Sequence, residues 1–375
     1  MNIVNIKKWV VSVPDHQGVS WIFLKLITDE GIEGAGECTN WSNRELTISQ
    51  CIDELGKSFV LGQDPFDIEK LWQRIYAAWH DFRKPSMIQT PVLSAFEMAC
   101  WDIIGKKLNQ PIYNLLGGRF NEKLRAYSGM PVGTPEETAK KAAELVEQGF
   151  TGVKFDPLGP MYPAPRSIDL NTFQYAEDCV KAVRDAVGNS CDILVETHGK
   201  LNTHTAIRLA KRLEKYDPLF IEEPVPPENV DEMARVAKAT SIPIATGEWL
   251  LTKYEFVEIL QKQAASIIQL DVSHCGGILE AKKIAAMAEA HYAQIAPHKP
   301  YGPVAGAAAI QLDVTCPNFL IQEGGAWTGF NREVLKEPIV FKKGYLIPPT
   351  KPGLGVGLNE EVLNRHPYVV PKAPV

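Results

Sequence analysis

Asp192-Ile193-Leu194-Val195-Glu196 is an apolar run of strand character that ends on an acid, and the pattern recurs twice downstream. Leu219-Phe220-Ile221-Glu222 repeats it, and Ile242-Pro243-Ile244-Ala245-Thr246-Gly247-Glu248 repeats it again. Carboxylates at the ends of adjacent parallel strands can converge on one hard cation. Three of them, with coordination positions left over, suit Mg²⁺ holding a substrate's own oxygens. A single strand-end acid reads equally well as a loop residue or a helix N-cap. Three in consecutive strands point to a site.

Outward from this stretch the chain alternates strand and helix. Candidate strands lie at 124–129, 152–156, 192–198, 219–223, 242–247, 266–272, 293–298 and 319–323. One intervening helix opens with the capping box Thr134-Pro135-Glu136-Glu137 and stops at Gly149. Eight βα-like units predict a (β/α)8-type barrel of the usual size, roughly 250 residues. No eighth helix is obvious after Glu323. Active sites of such barrels sit at the C-terminal strand ends, where all three glutamates lie.

Residues 1–123 follow a different grammar. Trp21 to Ile27 runs into Thr28-Asp29-Glu30-Gly31-Ile32-Glu33-Gly34, a hairpin with a glycine-bearing turn, and helical patterns follow from Arg44, Ile68 and Pro91. This block predicts an α+β domain. The proline-rich tail is expected to fold back onto it. The expected division is 1–123, 124–350 for the barrel, and 351–375 for the tail.

Bulk properties exclude several classes. The 375 residues are 45% hydrophobic and 22% charged, which argues against disorder. The net charge is −6 with scattered basic residues, so no nucleic-acid partner is expected. No apolar run approaches the ~18 residues of a membrane span. Seven separated cysteines without a CxxC pair suggest reduced thiols in a cytoplasmic protein. The start of the chain reads as a strand, not a signal peptide.

Strand parity then selects side chains. Glu196 and His198 are two apart and are expected to share a face. Glu222 and Glu223 are adjacent, so only one points inward; Glu222 is in phase with Phe220. Asp271 and His298 end neighbouring strands. A carboxylate accepting one ring N–H fixes the tautomer and makes the other nitrogen a base; the competing reading is a surface histidine and an N-cap aspartate. Lys154 is in phase with Asp156, and a lysine inside a barrel is expected to serve an anion. Glu323 ends the eighth strand and, if protonated, can hydrogen-bond a substrate carboxylate. His204 and His291 read as helix-surface residues, and His274 has no assigned role.

These residues resemble the enolase superfamily, in its mandelate racemase-like branch. The resemblance is carried by Thr28-Asp29-Glu30-Gly31 through Gly36-Glu37, by Ala99-Cys100-Trp101-Asp102-Ile103-Ile104-Gly105-Lys106 and by Leu115-Leu116-Gly117-Gly118. In the second domain it is carried by Ile221-Glu222-Glu223-Pro224, Thr246-Gly247-Glu248, Gln269 to Gly277 and Ala296-Pro297-His298. It implies a (β/α)7β modified TIM barrel under an α+β capping domain completed by the C-terminal tail. It puts Glu196, Glu222 and Glu248 on the Mg²⁺ ligands, Asp271 and His298 on the general base, and Glu323 on a carboxylate partner. His198 falls on the general acid of sugar-acid dehydratases, and Lys154 on the first lysine of a Lys-x-Lys strand.

Asp156 is the departure, since the family has a second lysine there. A racemase needs bases on both faces of the carbon. One base, His298, and one acid, His198, suit removal of water instead. The resemblance therefore implies a Mg²⁺-dependent hydro-lyase that turns a small-molecule sugar acid into a 2-keto-3-deoxy acid. A racemase or epimerase and a non-catalytic sugar-acid-binding protein are the alternatives. Self-association is expected. Val13 to Ser20 and Trp41 to Arg44 are the expected lid elements. Trp249, Tyr254, Pro300-Tyr301 and Trp327 are the aromatics that can line the pocket or simply pack.

Overall fold

The computed structural model describes residues 1–14, 18–39, 44–77, 84, 86–161, 163–299, 301–325 and 328–370. Three strands open the chain: β1 (Ile3–Ser12), β2 (Ser20–Thr28) and β3 (Glu33–Cys38). They pair as an antiparallel meander in the order β1-β2-β3. Helices α1 (Glu45–Leu55), α2 (Ile68–Ala77), α3 (Gln89–Lys107) and the short α4 (Ile112–Leu115) follow. The first helical pattern continues as a π-helical turn over Gly56–Val60. Helix α3 lies so close on β3 that side chains do not fit between them. A Cβ on Gly34 would meet the Ala99 carbonyl oxygen at 2.0 Å, and one on Gly36 would meet that of Ala95 at 2.0 Å. The glycines of the hairpin are there for this approach.

The barrel starts at β4 (Leu124–Gly129). It continues through α5 (Pro135–Glu147), β5 (Gly152–Phe155), α6 (Leu170–Val187), β6 (Asp192–Glu196), α7 (Thr203–Leu213), β7 (Phe220–Glu222) and α8 (Val230–Ala239). Next come β8 (Ile244–Thr246), α9 (Thr252–Gln261), β9 (Ile267–Ile268), α10 (Ile278–Ala290), β10 (Gln294–Ile295), α11 (Pro303–Asp313) and β11 (Gln322–Glu323). The strands from β4 to β10 are neighbours in sequence order and parallel. The ring closes through β11, which pairs with β4, and through a parallel bridge from Ile295 to Phe319. Inside it, Tyr127, Leu194, Phe220, Ala245, Ile267, Ala296 and Ile321 form one packed layer. Gly152 makes room in that layer, since a Cβ there would lie 3.1 Å from Tyr127 Cβ.

Where a full eighth helix would follow, the described residues form only the four-residue α12 (Phe330–Glu333). The hairpin β12 (Val340–Lys342) and β13 (Tyr345–Ile347) then adds antiparallel to β4. The last helix among the described residues, α13 (Glu360–Arg365), lies against β1. Trp9 Nε1 donates to Asn364 at 2.9 Å, and Tyr368 N donates to Val10 O at 3.0 Å. All seven cysteines are free, and no helix among the described residues is long and apolar enough to cross a membrane.

Two buried carboxylates of the N-terminal domain cap barrel helices. Glu37 accepts N–H groups of Gly302, Val304 and Ala305 at 2.6–3.0 Å, at the start of α11. Glu97 accepts those of Ile278 and Leu279 at 2.7 and 2.8 Å, at the start of α10, and the Trp101 indole at 2.8 Å. Orphan N–H groups and the helix dipole both favour a carboxylate at these ends.

Glu97→Ala leaves three donors, one buried and two partly buried, without their acceptor. We expect a loss of about 2–3 kcal/mol in denaturant unfolding. A loss below about 0.5 kcal/mol would be that of an ordinary surface change and would remove Glu97 as a domain clasp.

Candidate active site

Three ladders bring the acids together. Glu196 and Glu222 are the last residues of β6 and β7 and lie opposite one another in register. Glu248 lies two residues beyond β8. One carboxylate oxygen from each lies within 4.8 Å of the others, and all three residues are buried. Among the described residues Glu196 Oε2 and Glu222 Oε2 have no hydrogen-bond partner, and Glu196 Oε2 has only the Lys154 ammonium, at 3.5 Å, as an ionic neighbour. Buried, orphaned carboxylate oxygens facing one point fit a divalent cation.

Electrostatics carry the same sign. Burial pushes Glu196 up to about 7. Burial, then repulsion from Glu196, pushes Glu222 up to about 8. Glu248 is also raised, chiefly by burial. Lys154 offsets part of this charge from β5. Its Nζ lies 2.8 Å from Glu222, 3.1 Å from Glu323 and 3.5 Å from Glu196.

Glu323, the last residue of β11, departs from expectation. Burial acts to raise its pKa, but Lys154 and His298 outweigh it and hold the group down at about 2. It is therefore a carboxylate and not the protonated acid that the sequence reading requires. Its Oε2 accepts the Lys299 N–H at 2.8 Å.

On one side stands His298. Its Nδ1 lies 2.9 Å from Asp271 Oδ2, and its Nε2 lies 3.3 Å from Glu248 Oε2. Both residues are buried, three positions past the short strands β9 and β10. Single backbone bonds, such as His298 N to Leu270 O at 3.1 Å, carry the register to them. Burial opposes a charged ring, yet Glu248 and the Asp271 hydrogen bond lift His298 to about 10. The surface-histidine reading of this pair is thereby excluded. His274 is fully buried, and burial lowers it to about 4.

On the other side stands His198, half-exposed, with Nδ1 2.8 Å from Asp156 Oδ2 and 3.8 Å from Glu196 Oε1. Strand parity does not explain this position. β6 stops at Glu196, and His198 sits in a turn at φ +48°. That turn is pinned to the end of β7, since Thr197 Oγ1 donates to Glu223 O at 2.7 Å and Gly199 N donates to the same oxygen at 2.7 Å. A histidine in the left-handed region is uncommon and is held there by these contacts. Glu223 faces away from the cluster and accepts Thr246 Oγ1 and Gly247 N at 2.8 and 3.0 Å.

Asp156 is engaged by two neighbours. Burial acts to raise its pKa, but hydrogen bonds from His198 and Lys200 outweigh it and lower it. Lys200 also donates to Gly159 O at 2.7 Å. Lys200, Ser273 and Thr39 are polar partners that the sequence reading missed. Two of them carried a signal: Lys200 and Ser273 lie two residues beyond His198 and Asp271, as Asp156 lies two beyond Lys154. His204 is exposed, and His291 is an exposed helix cap. Tyr301 stands edge-on to His298 with ring centroids 6.1 Å apart, whereas Tyr254 stacks on Tyr76. Residues 15–17, 41–43, 300 and 327, which include half of the expected lid, Pro300 and Trp327, lie outside the described residues.

Comparison with known proteins agrees with this architecture. Residues 3–117 match the family described as mandelate racemase / muconate lactonizing enzyme, N-terminal domain, and residues 137–362 match the enolase C-terminal domain-like family. A D-galactonate dehydratase of Pectobacterium atrosepticum is 38% identical over 352 residues, 92% of this chain and 90% of that protein. A mandelate racemase/muconate lactonizing enzyme structure from Sulfitobacter sp. superposes with a TM-score of 0.94 at 39% identity, covering 98% of this chain and 96% of that one. One from Jannaschia sp. CCS1 gives 0.94 at 36% identity, covering 98% of each chain.

With Glu196 pushed up to about 7 and Glu222 to about 8, the carboxylates hold protons below that range, and a divalent cation requires them gone. Affinity for Mg²⁺ should therefore rise from pH 6 to pH 8, with protons released on binding. Calorimetric titration with MgCl₂ in two buffers of different ionisation enthalpy reads both. Binding without proton release would reject the cluster as the site.

Proposed function

The chain belongs to the mandelate racemase / muconate lactonizing enzyme family of the enolase superfamily, and from that premise we propose that it removes water from a sugar acid. The observation that carries this reading is a pair of histidines on either side of the carboxylate cluster, each tied through Nδ1 to its own aspartate. One histidine, His298, is buried, and the other, His198, is half-exposed. That asymmetry supports a base held rigidly in a dry site and an acid beside solvent. Asp156 speaks against a two-base racemase, because its charge is engaged by His198 and Lys200.

Glu196, Glu222 and Glu248 would hold Mg²⁺. When bound, the ion supplies positive charge opposite the negative charge that develops on the substrate carboxylate. Glu248, whose charge otherwise favours a proton on His298 Nε2, would be engaged as a metal ligand, which leaves His298 Nε2 to take the C2 proton while Asp271 holds Nδ1–H and stabilises the imidazolium that forms. Lys154, at the edge of the cluster, donates towards the same developing charge. Preorganised donors of this type are each worth roughly 3–4 kcal/mol. Glu323 keeps Lys154 in place and keeps it protonated. The C3–O bond then breaks, and the leaving hydroxyl takes a proton from His198 and departs as water. The remaining enol becomes a 2-keto-3-deoxy acid by protonation at C3.

A screen of aldonic and aldaric acids with Mg²⁺, reading 2-keto acid formation, tests the reaction class. Keto-acid formation from none of them, or C2 exchange without it, would reject the dehydratase reading. Variants test the roles on whichever acid turns over. His298→Asn should lose both C2–H exchange in deuterated water and dehydration. His198→Asn should lose dehydration and retain exchange. Dehydration surviving in His298→Asn would overturn the assignment of the base.

A further inference from the structure

Thr39, the residue immediately after β3, reaches from the N-terminal domain to the barrel. Its Oγ1 lies 2.5 Å from Ser273 Oγ, and its N–H donates to the Ser273 carbonyl at 3.4 Å. Ser273 Oγ lies 2.6 Å from Asp271 Oδ1, and the Ser273 N–H donates to that same oxygen at 2.8 Å. Asp271 Oδ2 meets His298 Nδ1 at 2.9 Å. Thr39 and Ser273 have no exposed surface.

The direction of this series follows from counting protons. An ionised carboxylate only accepts, so the single hydroxyl proton of Ser273 goes to Asp271. Ser273 then has only lone pairs to offer Thr39, and Thr39 is the donor. Oδ1 of Asp271 thus takes two donors and Oδ2 takes the ring. A carboxylate held at both oxygens cannot turn, and the imidazole beside it keeps one orientation and one tautomer.

We propose that Thr39 and Ser273 are positioning residues for His298, so that the docked N-terminal domain orients the group that takes the substrate proton. The proposal deepens the assignment of His298 as the base and rests on it. It gives the N-terminal domain a part in proton transfer besides capping α10 and α11. Glu37, two residues earlier on the same strand, holds the start of α11 just beyond His298. One strand therefore anchors both loops that carry the dyad.

Thr39→Val removes the hydroxyl at nearly constant shape, Thr39→Ser restores it, and Ser273→Ala removes the next link. Two readouts apply: kcat and KM for C2–H exchange, and the His298 ring nitrogens in ¹⁵N-histidine spectra of Mg²⁺-loaded, substrate-free protein. We expect Thr39→Val to lower kcat roughly three- to tenfold at unchanged KM, and Ser273→Ala to lower it roughly ten- to a hundredfold. Thr39→Ser should stay near wild type. The His298 resonances should move from a single Nδ1–H tautomer towards a mixture in Thr39→Val and Ser273→Ala only. Because the spectra need no substrate, a failed sugar-acid screen would overturn the dehydratase reading and still leave the relay measured. Unchanged His298 resonances in folded Ser273→Ala would overturn the proposal. Equal shifts in Thr39→Val and Thr39→Ser would also overturn it, by assigning Thr39 a packing role.

Discussion

Uncompensated negative charge, buried at the C-terminal mouth of the barrel, is the constraint on which the rest of the site depends. Three carboxylates with oxygens within 4.8 Å of one another are taken out of water there. Burying one carboxylate is costly unless it is paired, and burying several together adds their mutual repulsion. Lys154 faces Glu222, Glu323 and Glu196, and His298 faces Glu248 and Asp271. These two cationic partners leave Glu196 and Glu222 still pushed up to about 7 and about 8. A cluster in that state favours any arriving divalent cation. The rigid parallel ladder keeps the carboxylates from moving apart to relieve the strain, since Glu196 and Glu222 are paired residues in register.

The two sides of this cluster are held by different means. The loops after β9 and β10 are anchored by the N-terminal domain. Glu97 and Glu37 cap α10 and α11, and Thr39 meets Ser273. His298 is buried as a result. The loops after β5 and β6 are held within the barrel itself, where Asp156 is the shared partner of His198 and Lys200 and Arg166 donates to Gly199 O at 2.7 Å. His198 keeps half its side chain in solvent. A histidine that is dry and anchored from two domains, opposite one open to water, makes the two sides of the cluster unequal. That asymmetry is consistent with the proposed elimination and gives a symmetric two-base exchange no support.

The alternation of short apolar runs with helical stretches is a local property. It was therefore readable along the chain, and with it the barrel, the strand-end glutamates and the pairing of Asp271 with His298. The same holds for the choice of Glu222 over Glu223, which needs only the two-residue period of a strand. The argument from period misses His198, because β6 ends two residues earlier and a left-handed turn carries the ring to its place. Nothing in the spacing of residues 196 to 200 signals where a strand stops. It is the end of β7, accepting the Thr197 hydroxyl and the Gly199 N–H, that bends the chain there.

What the sequence determined by itself is the set of side chains presented at one end of one barrel, since each position follows from the strand that carries it. What only the tertiary structure decided is the state and the partners of those side chains. Glu323 is ionised because Lys154 and His298 converge on it, and Asp156 is a partner to His198 because Lys200 folds back beside it. Thr39 and Ser273 meet across 234 residues of chain. Charge state and hydrogen-bond direction depend on the distances between elements, which the closed barrel sets for Lys154, Glu323 and Asp156 and the docked N-terminal domain sets for Ser273.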